Sequence, residues 1–304
     1  MRCYLGVDGG GTKTAFALVG EDGRLLARHE ARSSYYLGTG VDLVGEVLAE
    51  GVGAVCAAAG VRAQDVTRAF FGLPAYGEVS ADVPALDAAP AAVLGHDRYD
   101  CDNDMVAGWA GSLGGADGIN VVAGTGSMTY GERDGVGVRV GGWGEAFGDE
   151  GSAHWVAVRG LQLASRQADG RAGPGPMLDV LVEHLGLDAP LDLVDVVLNR
   201  WGAERGRVAS LAPVVVRAAR AGDRSAASVL EAAADELVLL VTTTAARLGR
   251  PEEGADGWGA GGASVPVSCS GGLFRAREVL DGLRAGLRSA AGGFELRRPQ
   301  LSPV

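Results

Sequence analysis

The stretch VDGGGTKT, residues 7–14, joins two apolar segments through a turn rich in glycine and hydroxyl side chains. The apolar segments on either side, RCYLGV (2–7) and AFALV (15–19), have the pattern of short strands. EDG (21–23) is a typical hairpin turn, and RLLARHE (24–30) continues as a third strand. We therefore predict an antiparallel meander whose first turn carries the glycines.

This glycine turn matches neither common nucleotide motif. The P-loop pattern GxxxxGK[ST] fails because Gly11 is followed by Thr12 rather than by a lysine. A dinucleotide fingerprint would lead into a helix, whereas the segment after this turn is strand-like. What remains is a hairpin whose backbone N–H groups can converge on an anion, with Lys13 as a nearby cation. For a single turn of this kind, a plain tight hairpin is an equal alternative.

The same strand–turn–strand pattern recurs about 115 residues later. The segments GINVVAG (118–124) and VGVRVGG (136–142) are strand-like, and between them lie the turn AGTGS (123–127) and a third strand. Another glycine pair ends the strand-like segment VPVSCSGG (265–272). This weak internal duplication predicts an α/β protein with two related lobes, residues 1–115 and 116–304.

The rest of the chain is mainly helical in its periodicity. Helices are predicted at 41–60, 150–168, 176–186, 190–201, 207–222, 224–249 and 273–291. Residues 83–95 are helical or irregular in pattern, and FELRR (294–298) is a last strand. The glycine-rich stretch 251–264 is predicted to be a surface loop without chemistry.

The composition of the chain argues against several classes of protein. The formal net charge is −11 and there is no basic stripe, which argues against a nucleic-acid partner. No run is long enough for a membrane span and no signal-peptide core precedes the first strand, so we expect a cytoplasmic protein. The four cysteines form no CxxC pair and no zinc-type cluster, which favours buried thiols in a reducing compartment.

The order of these motifs resembles a known superfamily. VDGGGTKT, AGTGS and SGG follow the order of the phosphate-1, phosphate-2 and adenosine motifs of the actin/hexokinase/Hsp70 superfamily. Within it, GGWGEAFGDEGSAHWVAVRGLQ (141–162) closely resembles the corresponding segment of N-acetylglucosamine kinases and of BadF-type ATPases. The resemblance covers nearly the whole chain. It implies a two-lobed, ribonuclease H-like α/β fold closing over ATP and a sugar in a central cleft.

The resemblance also implies roles by position. Asp8 would hold Mg²⁺, through water, beside the bound ATP. The residues expected to bind the nucleotide are Gly10, Gly11, Thr12 and Lys13 at the β- and γ-phosphates, Thr125, Gly126 and Ser127 from the other lobe, and Gly271 and Gly272 at the adenosine. A homodimer is possible on the same grounds.

The predicted catalytic base lies in YDCDND (99–104). Phosphoryl transfer depends mostly on positioning and charge, but a carboxylate that accepts the proton of the attacking hydroxyl still helps. Asp104 is favoured over Asp100 and Asp102 because it stands where a strand ends and a helix begins. The resembling kinases place their base at the aspartate of an Asn-Asp pair at this point. The alternative for each carboxylate is a helix N-cap.

The predicted sugar contacts are Trp143, Glu145 and Asp149, since an aromatic face with carboxylates suits a hydroxylated ring. The alternative is a buried Trp and a capping pair, Asp149 and Glu150, before the next helix. The resemblance implies an ATP-dependent kinase acting on the 6-hydroxyl of an amino sugar. N-acetylglucosamine is favoured as the substrate, and glucosamine is possible.

Two features depart from the resembling kinases. Their loop after the third strand carries an Asn, whereas ARSSYYLGTG (31–40) has none and offers Ser34, Tyr35 or Tyr36 instead, which leaves the exact sugar open. Their chain continues into a terminal helix, whereas this sequence stops at Val304, by nature or by truncation.

Two other functions compete with the kinase. A BadF-type ATPase that activates a partner enzyme would bridge an iron–sulfur cluster through cysteines, and none of the four cysteines has the setting of an exposed cluster ligand. A sugar-sensing regulator would carry a DNA-binding helix-turn-helix before the first strand. The sequence gives no preferred oligomer and no pathway.

Overall fold

The computed structural model describes residues 2–249, 258 and 264–301. The chain divides into two compact units, one made of residues 1–115 with 300–304 and the other of residues 116–299. Among the described residues, none of the helices combines the length and the apolar character that crossing a membrane requires.

The first unit is built on a mixed sheet. Its strands, within the described residues, are β1 (Cys3–Gly9), β2 (Lys13–Gly20), β3 (Leu25–Arg32), β4 (Arg68–Leu73) and β5 (Tyr99–Asn103), in the order β3-β2-β1-β4-β5. β1 is antiparallel to β2, and β1, β4 and β5 run parallel. The predicted meander is confirmed. Asp8 and Gly9 belong to β1 and Lys13 opens β2, so the turn itself comprises only residues 10–12.

Helices pack on this sheet, and a glycine allows one of them to approach a strand closely. The helices of the first unit are α1 (Asp42–Ala59), α2 (Val83–Leu94) and α3 (Asp104–Leu113). Phe16 of β2 is fully buried, and a Cβ at Gly51 of α1 would overlap its ring. Glycine at this position therefore lets α1 lie directly on the aromatic core. The ambiguous segment near residue 90 is helical in spite of Pro90.

The second unit repeats the strand order of the first. Its strands, in the part of the chain that is described, are β6 (Gly118–Ala123), β7 (Ser127–Arg133), β8 (Val136–Gly141), β9 (Val265–Ser270) and β10 (Phe294–Arg297). They are ordered β8-β7-β6-β9-β10, with β6 antiparallel to β7 and parallel to β9. The strand–turn–strand unit read twice in the sequence therefore opens two sheets of the same topology.

The helices of the second unit follow the predicted periodicity with three differences, besides the last helix, which starts at Arg277 rather than at residue 273 because Gly272–Arg275 is a 3₁₀ turn. They are α4 (Ala153–Ala168), α5 (Pro176–Leu185), α6 (Arg205–Ala209), α7 (Ala212–Arg220), α8 (Arg224–Leu248) and α9 (Arg277–Ser289).

The first difference is the start of α4, which lies at Ala153 because the Ser152 hydroxyl caps it. The second is the predicted helix 190–201, which is a 3₁₀ turn followed by a π turn. The third is the predicted helix 207–222, which is split because Pro213 lies in the first turn of α7. The predicted surface loop 251–264 lies outside the described residues, apart from Trp258 and Ser264.

Candidate active site

The phosphate-1 turn, residues 10–12 between β1 and β2, is closed by one backbone bond and anchored by a neighbouring loop. The Gly10 N–H donates to the Lys13 carbonyl at 2.8 Å, and the Ser33 hydroxyl donates to the Gly10 carbonyl at 2.6 Å. Gly11 and Thr12 are exposed. The Lys13 amine lies 2.5 Å from the Glu30 carboxylate on β3, with about half of the lysine side chain exposed. The turn therefore presents its backbone to solvent, while its cation is paired on the adjacent strand.

Asp8 and Asp104 are brought to the same end of the first sheet. Asp8 pairs with Gly72 of β4, and Gly72 pairs with Asp102 of β5. A Cβ at Gly72 would lie 3.0 Å from the Asp104 Cα and 3.2 Å from the Val7 carbonyl. Because β1, β4 and β5 are parallel, both carboxylates stand at their carboxyl ends, where ligands of α/β sheets commonly bind.

Asp104 is not the cap of α3. The Asn103 side chain takes that role by accepting the Met105 N–H at 3.3 Å, and the Asn103 amide donates to the Tyr76 carbonyl at 3.1 Å. Asp104 is therefore the first residue of the helix and is half-buried. Asp100, by contrast, is paired with Arg68 at 2.7 Å on the surface. Because Asn103 is the cap of α3, the alternative that Asp104 serves as the N-cap carboxylate does not hold.

Asp8 has an unusual proton affinity for an aspartate. Burial raises its pKa to about 6, and the positive charge of Lys13 opposes that rise. A buried carboxylate with a raised pKa gains from a bound cation, which would stabilise its ionised form. No group of three or more His, Cys, Asp or Glu side chains suited to a metal occurs among the described residues. A lone carboxylate such as Asp8 could hold a Mg²⁺ ion whose other ligands are water and phosphate oxygens.

The phosphate-2 turn, residues 123–127, is held by the first turn of α4. The Ala153 N–H donates to the Gly124 carbonyl at 2.9 Å, and the Gly124 N–H donates to the Gly126 carbonyl at 2.9 Å. The Ser127 hydroxyl donates to the Glu150 carbonyl at 2.6 Å. Ser127 is buried, so its hydroxyl fixes the turn, while Thr125 at the tip is partly exposed.

The adenosine motif packs directly on this turn. Gly271 follows β9 with φ +109°, and a Cβ there would overlap the Ala123 carbonyl and lie 2.8 Å from the Gly124 nitrogen. Gly272 has no atom of the described residues within 4 Å of the corresponding position. The two glycines therefore differ: Gly271 is required by protein packing, and Gly272 faces open space.

Both motifs of the second unit border one cavity of about 600 Å³. Gly124, Thr125 and Gly272 line it together with residues of α6, α7 and the segment before α9. The charged lining consists of arginines, and one of them, Arg220, is paired with Glu278 at 2.6 Å. This volume is within the range of small-molecule and cofactor sites. Sequence reasoning missed the helical part of the lining, because Ser210 and Arg217 belong to no motif.

The segment of residues 142–149, named the Trp143 loop after its most prominent side chain, combines exposed and buried groups. Trp143 is 72% exposed and Phe147 is 76% exposed. Asp149 is 3% exposed; its Oδ1 accepts the Gly144 N–H at 3.2 Å, and its Oδ2 lies 2.5 Å from an Arg205 nitrogen. Arg205 also lies 3.2 Å from a Glu145 oxygen. The cap of α4 is Ser152, so the alternative of Asp149 and Glu150 as a capping pair does not hold.

The predicted site residues thus form two groups. Asp8, residues 10–13 and Asp104 lie in the first unit, and the remaining predicted residues lie in the second. The cysteines are free, and two of them, Cys3 and Cys56, are buried.

A known protein family and several known proteins are similar to this chain in sequence. The model of the BadF/BadG/BcrA/BcrD ATPase family matches residues 5–304. An N-acetyl-D-glucosamine kinase of Dictyostelium discoideum is 31% identical over 260 residues, covering 82% of this chain and 81% of the relative. An N-acetylmuramic acid/N-acetylglucosamine kinase of Clostridium acetobutylicum is 34% identical over 140 residues, covering 46% of this chain and 45% of the relative.

A solved structure is similar to this chain in fold. The crystal structure of a candidate N-acetylglucosamine kinase from Chromobacterium violaceum superposes with a TM-score of 0.74 at 28% identity, covering 100% of this chain and 96% of that one. The predicted actin/hexokinase-like fold is thereby confirmed.

Proposed function

This chain belongs to the BadF/BadG/BcrA/BcrD ATPase family, and from that premise we propose that it is an ATP-dependent kinase for the 6-hydroxyl of an amino sugar. N-acetylglucosamine is the first candidate substrate and glucosamine the second. The carrying observation is the cavity of about 600 Å³ that the phosphate-2 turn and the adenosine motif line together. The two kinases whose chains this one resembles support the sugar part of the proposal.

The nucleotide would be held mainly by backbone. In the phosphate-2 turn the Gly126 position leaves no room for a side chain, because a Cβ there would lie 2.6 Å from the Asp149 carboxylate. In the phosphate-1 turn the Gly10 N–H is bonded to the Lys13 carbonyl, whereas the exposed Gly11 would offer its own N–H to phosphate oxygens. Thr125 would add a hydroxyl donor. Gly272 supports the proposal for adenosine because it lines the cavity and keeps a side chain out of it, while Gly271 lets the motif pack on the phosphate-2 turn.

Asp8 would carry the magnesium ion through water. When bound, the ion would neutralise charge on the phosphate oxygens, which supports transfer of the γ-phosphoryl group. Asp104 would accept the proton from the 6-hydroxyl as that oxygen attacks the γ-phosphorus and the bond to the β-phosphate oxygen breaks. Its position at the start of α3, with Asn103 already serving as cap, supports this role.

The pH profile of kcat/KM is expected to have its acid limb near pH 6. Because an ionised Asp8 is needed for the cation, kcat/KM for the magnesium nucleotide should fall as the pH drops through about 6, the pKa that burial gives Asp8. In the variant Lys13→Met the limb should move to higher pH, since the Lys13 charge lowers that pKa. The measurement is kcat/KM from pH 5 to 9, which reports ionisations of the free enzyme.

Arg28→Met is the matched control for this profile. Arg28 pairs with the same Glu30 carboxylate at 3.0 Å, yet it makes no contribution to the Asp8 shift. Its limb should coincide with that of the wild type. A wild-type kcat/KM that does not fall between pH 7 and pH 5, or a Lys13→Met limb at the wild-type position, would contradict the role given to Asp8.

A substrate panel tests the proposed function itself. ATP consumption is measured with N-acetylglucosamine, glucosamine, N-acetylmuramic acid and glucose, and the product is mapped by NMR to the phosphorylated oxygen. We expect an amino sugar to give the highest kcat/KM, with phosphate on O6. Turnover of ATP that no sugar accelerates would reject the kinase.

A further inference from the structure

Arg205 lies directly against the phosphate-2 turn. It is the first residue of α6, a helix whose N-cap is the Glu204 side chain. A Cβ at Gly126 would overlap the Arg205 guanidinium and lie 2.6 Å from the Asp149 carboxylate. The guanidinium and its partner therefore fill the space that a side chain at the turn would need. The turn, α6 and the Trp143 loop meet at this one ion pair.

Asp149 transmits this contact to the Trp143 loop. Its side chain is 2% exposed, and its backbone φ is +58°, a conformation that costs energy for a residue with a Cβ. The same carboxylate accepts the Gly144 N–H at 3.2 Å, and the Gly148 N–H donates to the Gly144 carbonyl at 2.9 Å. Asp149 thus pairs with Arg205 through one oxygen and bonds through the other to the start of the loop that carries the exposed Trp143.

The other side of the turn is already fixed by α4, whose Ala153 N–H donates to the Gly124 carbonyl. The Gly126 side has the ion pair of Arg205 with Asp149 beside it. We propose that Arg205 is a positioning residue that couples the phosphate-2 turn to the Trp143 loop, so that nucleotide and sugar each tighten the binding of the other. This inference rests on the proposed function, because it takes the turn as a phosphate site and the loop as part of the sugar site.

The charges around Asp149 make the coupling sensitive to pH. Burial raises the pKa of Asp149, the Arg205 cation opposes that rise, and Glu145 and Glu150 add to it. His154 of α4 also faces the group; burial lowers its pKa, so it adds little positive charge at neutral pH. Arg205 is therefore the cation that lowers the pKa of Asp149 and favours its ionised form. Without it the pKa of Asp149 would rise further, and the ion pair that links α6 to the Trp143 loop would be lost.

The first test measures binding of N-acetylglucosamine by calorimetry with and without a non-hydrolysable ATP analogue. In the wild type the analogue should tighten sugar binding by about tenfold, a typical size for coupled sites. In Arg205→Met the analogue should change the sugar affinity less than about twofold. On acidification the sugar affinity of that variant should also fall further than that of the wild type, because the Arg205 cation lowers the pKa of Asp149.

Two further variants separate positioning from a general structural role. Arg207→Met is the matched control, because Arg207 is on the same helix, is 58% exposed and lies 3.9 Å from Glu204. Coupling and pH dependence in this variant should equal those of the wild type. Arg205→Lys keeps the charge but not the two-sided reach to Glu145 and Asp149. This variant should keep the wild-type pH dependence of sugar affinity and lose part of the coupling between nucleotide and sugar. If Arg205→Met does not fold, the Arg205→Lys result decides.

The outcomes are distinguishable from failure of the proposed function. A wild type that phosphorylates an amino sugar but shows no coupling between nucleotide and sugar overturns the inference alone. So does an Arg205→Lys or Arg205→Met variant with wild-type coupling and pH dependence. A wild type that phosphorylates no sugar in the panel removes the proposed function, and the inference goes with it.

Discussion

Asp104→Asn is expected to lower kcat by about 10²–10⁴-fold while both ligands still bind, because a positioned general base contributes about that much to a transfer step. The amide has the shape of the carboxylate but cannot take up the proton of the 6-hydroxyl. Its place at the start of α3 is kept by Asn103, whose side chain caps the helix at Met105, so the fold should be unaffected. The measurement is kcat by a coupled assay, with calorimetric binding of nucleotide and sugar.

Asp102→Asn is the matched control for the base. Asp102 is two residues away on β5, and its Oδ1 accepts the Asn103 N–H at 2.7 Å, a contact that an amide oxygen can keep. Turnover should stay within about threefold of the wild type, in line with the small effects of most surface substitutions. Near-normal turnover in Asp104→Asn, with a large loss in Asp102→Asn, would reassign the base to Asp102.

Gly271→Ala is expected to damage stability and nucleotide binding together. The added Cβ would overlap the Ala123 carbonyl and would require a non-glycine residue at φ +109°. Both partners are backbone, so the phosphate-2 turn itself must move. We expect the free energy of unfolding to fall by about 3 kcal/mol, from backbone strain and overpacking. Nucleotide affinity should fall by at least about tenfold, since the turn lines the same cavity.

Gly272→Ala separates packing from ligand contact in this motif. No atom of the described residues lies within 4 Å of its new Cβ, so urea unfolding should match that of the wild type within about 0.5 kcal/mol. Any loss of nucleotide affinity in this variant then reports contact with the ligand. Wild-type stability and affinity in Gly271→Ala would mean that the turn is not held as described.

The fold could be predicted from the sequence because its main signals are local. The glycine turn after Asp8 and its repeat at residues 123–127 each link strands whose apolar pattern is unambiguous, and the second sheet repeats the order of the first. Most helix interiors also followed from periodicity, although residues 190–201 form a 3₁₀ turn and a π turn instead of the predicted helix. Boundaries did not, because they depend on single side chains: the Ser152 hydroxyl sets the start of α4, and Pro213 splits the helix predicted at 207–222.

The site was predictable only where its residues lie in motifs. The pair of Arg205 with Asp149 joins residues 56 positions apart, and no local pattern encodes it. The cavity walls from α6 and α7 escaped prediction for the same reason, since Ser210 and Arg217 are ordinary helix residues in the sequence. The choice of Asp104 over its neighbours remains a prediction, which the capping by Asn103 supports.

Gly72 has a consequence beyond packing. At this strand residue a Cβ would lie 3.0 Å from the Cα of Asp104 and 3.0 Å from the Cβ of Ala107, so a side chain there would push the start of α3 away by a few tenths of an ångström. If Asp104 is the base, its position depends on the absence of a side chain at residue 72. Selection for fast phosphoryl transfer would then act on a position in the interior of a strand, with no ligand needing to touch it.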